Sequence, residues 1–292
     1  MSDLEAAVER VWPGRDVRIE VLGGGITNHN ARVEVDGEAF VLRVAGKDTD
    51  LLGIDRLVEV EATRAAAALG IGPEVVAFVE PEGWLVTRFI EGEIPAPGAM
   101  QAPANLARVA DALRAFHGGK PIAGAFDSFR VVERYLETAL ARGGSVPDAY
   151  EAAHEIAARI EELRAAAPSV PCHNDLLNAN FLDDGVRLRI VDWEYAGMGD
   201  RFFDLANFSI NHELDAGARE ALLGAYFGQA RAEDVRALEL MRFMSDFREA
   251  MWGVVQSAVS ELDFDFAGYA AEHFERMEQT AAESGFQVAL VD

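Results

Sequence analysis

The stretch SVPCHNDLLNANFL, residues 169–182, places His173, Asp175 and Asn180 within eight residues of one another. Asp192 follows in FLDDGVRLRIVDW, which reads as two short strands around a DDG turn. These residue types suit phosphoryl transfer. One carboxylate must accept a hydrogen bond from an attacking hydroxyl. An amide oxygen and a second carboxylate must hold Mg²⁺ against the phosphates. An aspartate, an asparagine five residues later, and an aspartate after a hairpin is the spacing of kinase-type sites. Asp175 is the candidate base, and Asn180 and Asp192 are the candidate metal ligands. His173 is grouped with Asp175 as a catalytic-loop residue. It is expected to order the loop by hydrogen bonding rather than to carry protons.

A matching half lies near the N-terminus. In GGGITNHN the glycines allow backbone to approach a phosphate closely, and Thr27 and Asn28 add side-chain donors. Gly24, Gly25, Thr27 and Asn28 are the candidates there. Arg43 interrupts the apolar run VLRV, in the place of the phosphate-binding lysine of protein kinases. Glu59, on the following helix, could pair with it, and Glu61 is the alternative. Backbone near Thr87–Ile90, with Arg88 and Ile90 named, is the expected adenine contact. Glu194, two residues past Asp192, is a further candidate toward metal or substrate.

These groups need elements to position them. Period-two alternation predicts strands at Val17–Leu22, Ala31–Val35 and Ala39–Val44, the last two joined by the DGE turn. DRLVEVEATRAAAALG reads as a helix stopping at Gly70, and two strands flank the turn PEG. EGEIPAPGA reads as a linker. Beyond it the pattern is helical in NLARVADALRAFHGG, YEAAHEIAARIEELRAAA and REALLGAYFGQA. The C-terminal MRFMSDFREAMWGVVQSAVSELDFDFAGYAAEHF reads as a helix, a break near ELDFDF, and a second helix. The expected fold class is α+β in two lobes. Residues 1–90 form a small β-rich lobe, and residues 91–292 form a larger helical one.

Composition narrows the classes. A net charge of -24 argues against a nucleic-acid partner, because phosphate backbones need a basic face. No apolar run reaches membrane-spanning length. The opening MSDLEAAVERVW lacks the regions of a secretory leader. Cys172 is the only cysteine, so no internal disulfide forms and a cytoplasmic location is the default expectation. Cys172 itself is expected to be a small buried residue, and His117 to be packed. His154, His212 and His273 share no metal-ligand spacing, and no Walker motif occurs.

GGGITNHN, FVLRVAG, IDRLVEVEA, CHNDLLNANFL and VDWEYAGMGDRFFDLANF together resemble the choline/ethanolamine kinase family. That family sits within the aminoglycoside-phosphotransferase-like enzymes. The resemblance runs from about residue 20 to about residue 275. It implies a protein-kinase-like fold, ATP as phosphate donor, Mg²⁺, and a small amino-alcohol acceptor, choline foremost. It also implies that Asp204 caps or braces the catalytic loop.

The acceptor is read from the C-terminal helices. Phe243, Phe247, Met251 and Val254 share one face, the expected core. Glu249, Trp252 and Gln256 share another. A tryptophan beside a carboxylate suits an alkylated ammonium group. The resemblance places Trp252 and Tyr269 at positions of an aromatic cage. It also marks a departure, because Glu249 stands where eukaryotic choline kinases have a second tryptophan. Ethanolamine would tolerate that change. A family carboxylate position falls near Asn211. Two rivals remain: an aminoglycoside or other small-molecule kinase of the same fold, and a pseudokinase-like binding module. The module predicts loss of a base or metal ligand, yet Asp175, Asn180 and Asp192 are all present.

Overall fold

The computed structural model describes residues 3–23, 28–46 and 49–291. Helix α1 (Asp3–Val11) leads into β1 (Val17–Leu22), β2 (Asn28–Val35) and β3 (Glu38–Ala45), an antiparallel meander. Asp36 and Gly37 turn the second hairpin at positive φ, 54° and 84°, as an Asp-Gly pair favours. Helix α2 (Arg56–Ala68) precedes β4 (Val75–Val79) and β5 (Trp84–Arg88). The sheet order is β1-β2-β3-β5-β4, so β3 is the central strand.

Alternation along β2 and β3 divides the sheet into two faces. Ala31, Val33, Val35, Phe40, Leu42 and Val44 pack with Ala7 and Val8 of α1. Arg43 points to the other face, toward α2, where Ala62 and Ala66 join the large core of the second lobe. The Asp55 side chain caps α2 by accepting from Leu57 N (2.8 Å) and Val58 N (3.3 Å). Gly70, at φ 72°, ends the helical stretch where it was expected to end.

The linker is pinned to the second lobe. Glu93 and Asp183 exchange backbone hydrogen bonds of 3.0 and 2.8 Å. The second lobe holds α3 (Pro103–His117), α4 (Ser128–Ala141), α5 (Ala149–Arg164), β6 (Ser169–Cys172), β7 (Phe181–Asp183), β8 (Leu188–Ile190) and β9 (Gly197–Asp200). It continues through α6 (Arg201–Asn211), α7 (Ala216–Phe227), α8 (Ala232–Val259), α9 (Phe266–Ala282) and α10 (Ser284–Val291). Strand β7 pairs with β8 as the expected hairpin, while β6 pairs with β9. Helix α8, of 28 residues, is the axis on which α4, α6 and α9 pack. Phe243, Phe247, Met251 and Val254 are buried in that core. A Cβ at Gly253 would lie 3.0 Å from Ala270, so glycine lets α9 approach α8 closely. No described helix is long and apolar enough to cross a membrane.

The cap on α2 yields a test. Asp55→Ala should cost about 1 kcal/mol, seen as a lower urea midpoint at unchanged slope. An unchanged midpoint would show that α2 does not depend on its cap.

Candidate active site

The loop after β6 is held by α6. The Asp204 carboxylate accepts from the backbone amides of His173 (2.8 Å) and Asn174 (2.7 Å). Asn207 Oδ1 accepts from Leu176 N at 2.6 Å. These bonds hold Asn174 at φ 68°, a left-handed conformation that asparagine tolerates. His117 braces Asp204 from α3 at 2.9 Å, and its other ring nitrogen meets the Tyr226 hydroxyl at 2.7 Å. Burial alone would raise the Asp204 carboxyl. The His117 hydrogen bond and the nearby imidazoles outweigh it and hold the group below the usual range.

His173 has backbone partners on both nitrogens. Nε2 lies 3.0 Å from Val191 O, and the Asp175 amide donates to Nδ1 at 3.2 Å. A carbonyl on one side and an amide on the other assign the neutral Nε2–H tautomer. Burial lowers its proton affinity further. His173 therefore sets the position of Asp175.

Asp175 and Asn180 meet directly. Asn180 Nδ2 donates to Asp175 O (2.8 Å) and Asp175 Oδ2 (3.2 Å), which leaves its Oδ1 for another partner. Asp192, at φ 63° just after β8, faces Arg43 Nη1 at 3.3 Å. Burial pushes the Asp175 carboxyl up to about 8, with Arg248 opposing and Glu249, Asp192 and Glu194 reinforcing. Burial and then Glu194 push Asp192 up to about 6, against the pull of Arg43. Burial is the leading cause of both shifts, with neighbouring carboxylates adding to it.

Arg43 forms an ion pair with Glu59, which decides between the two glutamates. Glu61 instead accepts from Ala123 N at 2.9 Å. Glu194 lies on this side as well. It is 3.0 Å from Arg56 Nη1 and accepts from Asn28 Nδ2 at 2.8 Å. It therefore bridges the lobes beside Arg43. Asn28 opens β2 and also accepts from Arg56 at 2.9 Å. Gly24, Gly25 and Thr27 lie outside the described residues.

Arg88 is set apart from this cluster. Its side chain pairs with Glu38 at 2.8 Å and lies over the Phe40 ring. Together with Ile90 it lines a cavity of about 690 Å³ that also touches Ala68, Asp184 and Arg189. Neither Asp175 nor Asp192 lines that cavity. The Ile90 and Glu91 amides have no hydrogen-bond partner among the described residues, so backbone donors remain at this segment.

On the far side of Asp175, α8 and α9 assemble a second cluster. Trp252 Nε1 donates to the Tyr195 hydroxyl at 2.9 Å, and its ring meets that of Tyr269 edge-on at 5.4 Å. The Tyr269 hydroxyl donates to Glu249 Oε2 at 2.9 Å. Glu249 Oε1 is 3.1 Å from Arg248 Nη2, and Arg248 lies 3.5 Å from Asp175 Oδ1. Glu249, Trp252 and Tyr269 thus stand together, one arginine away from Asp175.

Residues 18–240 match the phosphotransferase enzyme family. A choline/ethanolamine kinase family protein from Mesorhizobium loti superposes with a TM-score of 0.84 at 32% identity, covering 99% of this chain and 97% of that one. The chain belongs to the phosphotransferase enzyme family, in its choline/ethanolamine kinase branch. It is an ATP-dependent small-molecule kinase. Human ethanolamine kinase 2 is 29% identical over 297 residues, 90% of this chain and 76% of its own length. Choline kinase LicA from Streptococcus pneumoniae shares the fold, at TM-score 0.80 and 22% identity over 96% of this chain and 97% of that one.

Four positions at the site were absent from the sequence reading: Arg56, Tyr195, Asn207 and Arg248. Arg248 alone carried a usable signal, a cation in the middle of an otherwise apolar helix face. The others depend on contacts across the lobes or between distant segments.

The brace predicts a stability effect. Asp204→Ala would orphan two buried amides at about 1–3 kcal/mol each. A large drop in the denaturation midpoint is expected. A midpoint near wild type would show that the loop is held by other means.

Proposed function

We propose that this kinase transfers the γ-phosphate of ATP to the hydroxyl of a small amino alcohol, with choline the leading acceptor and ethanolamine the nearest alternative. One observation carries the reading: the Trp252, Tyr269 and Glu249 cluster stands one arginine, Arg248, away from Asp175. An indole face attracts an ammonium ion, worth about 0.5–2 kcal/mol depending on desolvation. Glu249 supplies formal charge, and Asp175 is within reach of the hydroxyl carried on the same small molecule.

Nucleotide phosphates would meet Arg43 and Asn28, with the lobes dividing at the linker into residues 1–90 and 91–292. Adenine would use the backbone amides near Ile90. LicA has been seen in complex with AMP, which supports a nucleotide at this fold's cleft. Asn180 Oδ1 and the Asp192 carboxylate offer hard oxygen ligands, so they fit Mg²⁺. Bound there, the ion would neutralise phosphate charge as it develops. Asp175 orients the acceptor hydroxyl and takes its proton. Asn180 fixes the rotamer of Asp175. Arg43, held by Glu59, keeps its charge facing the cleft. Positioning and electrostatics supply the catalysis. Cytoplasmic residence is part of the same proposal.

An acceptor panel of choline, ethanolamine and kanamycin in a coupled ADP-release assay tests the reading. Turnover of an amino alcohol is expected, and turnover of kanamycin alone would reject it. Asp175→Asn should cut turnover by roughly 10²–10⁴-fold while MgATP still protects the fold in a thermal shift. Wild-type turnover in that variant would remove Asp175 as base.

The pH profile follows from burial. Only the ionised carboxylate accepts a proton, and burial raises the pKa of Asp175 to about 8. Acceptor kcat/KM should therefore fall as pH drops through that value, measured at saturating MgATP. An acid limb near the ordinary aspartate value of about 3.9 would contradict the burial of the base.

A further inference from the structure

Arg248 is 1% exposed and sits at the centre of α8. Nη2 donates to the Asn174 carbonyl, lies 3.5 Å from Asp175 Oδ1 and lies 3.1 Å from Glu249 Oε1. The guanidinium also lies over the Tyr195 ring, 5.2 Å from its centroid. Its Nε has no hydrogen-bond partner among the described residues. Burying a guanidinium with a donor unmet is costly, and apolar replacement of buried ion pairs is often neutral or better for stability. A residue kept under those conditions points to a role beyond folding.

Charge counting specifies the role. With Asp175 ionised, the acceptor half holds Asp175, Glu249 and Arg248, a net of one negative charge. Asp246, behind Tyr269, is matched by Arg276 at 3.2 Å and adds nothing. We propose that Arg248 is a positioning and charge-setting residue. It aims the Asp175 carboxylate through the Asn174–Asp175 backbone, and it pairs Glu249 so that the acceptor half suits a molecule of single positive charge. This rests on the amino-alcohol reading above and adds what sets the charge of the acceptor.

The geometry separates the two effects. Removing the arginine frees Glu249, so a cationic acceptor binds more tightly. It also releases Asp175, so the bound acceptor reacts more slowly. A residue that merely supports the fold would weaken binding and turnover together.

The test uses whichever amino alcohol the wild-type enzyme phosphorylates, alongside the uncharged carbon isostere of that alcohol. Failure of the amino-alcohol reading shows in the wild type and is distinct from failure here. In Arg248→Gln, kcat should fall on the order of a hundredfold. KM for the cation should fall about tenfold, with KM for MgATP and for the isostere unchanged. Adding Glu249→Gln should return the cation KM toward wild type without restoring kcat. Arg248→Lys keeps the charge, so it should retain the cation KM and recover part of kcat. If the glutamine variant does not fold, the lysine variant decides: reduced kcat at unchanged cation KM supports the proposal. Unchanged kcat, or KM for cation and MgATP rising together, overturns it.

Discussion

The ion pair between Arg43 and Glu59 is the constraint on which the cleft depends. Arg43 sits on the central strand of the sheet, on the face opposite the small core, with an 8% exposed side chain. Desolvation works against its charge, while Asp192 and Glu194 favour it. Glu59 on α2 supplies the nearest partner, and Arg56, one turn earlier, ties Glu59 to Glu194 across the lobes. Three elements therefore have to be in place before the cation is tolerated: β3, α2 and the segment after β8. Breaking one partner would leave an uncompensated buried charge, which costs more than the pair contributes. The network is better understood as fixing one arrangement of the lobes than as adding stability.

The loop after β6 is built by the same logic around one buried carboxylate. Asp204 gathers two amides, and His117, itself held by Tyr226, favours the ionised carboxylate and aims it. Asn174 is left in a conformation that few side chains accept, and Asp192 is in another. Both unusual backbone positions flank the cluster that meets Asp175 and Asn180. Local strain of this kind persists where the surroundings over-determine it. The ligating atoms of His117, Cys172 and Asp204 lie close together, within 4.8 Å. The oxygens of Asp204 are already committed to backbone amides, so this group is a brace.

Most of the small lobe was legible because its signals are local. Alternation marked the strands, the Asp-Gly pair marked the hairpin, and Gly70 marked the end of α2. The ends of β2 and β3 ran longer than expected, since Asn28, His29 and Asn30 read as a polar turn until pairing with β3 fixed them in the ladder. Helix α4 was passed over although Asp127 precedes it as a cap and Val131, Val132, Tyr135 and Ala139 are spaced as one buried face. The β6–β9 ladder had no such signal. Each strand has four residues, β6 contains a proline, and the partner lies beyond the β7–β8 hairpin. At the site, Asp175, Asn180 and Asp192 were legible as a spaced set. Glu194 was legible as a candidate, but its partners Asn28 and Arg56 were not, because they lie far away in the sequence.

On the proposed amino-alcohol reading, the use of the carboxylates around Asp175 would separate this kinase from a polycation-binding one. A polycation needs several acidic groups free to face it. Here Glu249 is taken by Arg248 and Tyr269, Asp246 by His273 and Arg276, and Asp175 by Asn180 and Arg248. On the amino-alcohol reading, the ligand would meet the rings of Trp252 and Tyr269 with one net charge behind them. Such a surface discriminates by desolvating one compact cation, because an aromatic face rewards an ammonium that has given up its water. Each further charge on a larger ligand would have to be desolvated with no partner to meet it. The many surface carboxylates of the chain do not alter this, because exposed charges are screened by salt beyond about 8–10 Å.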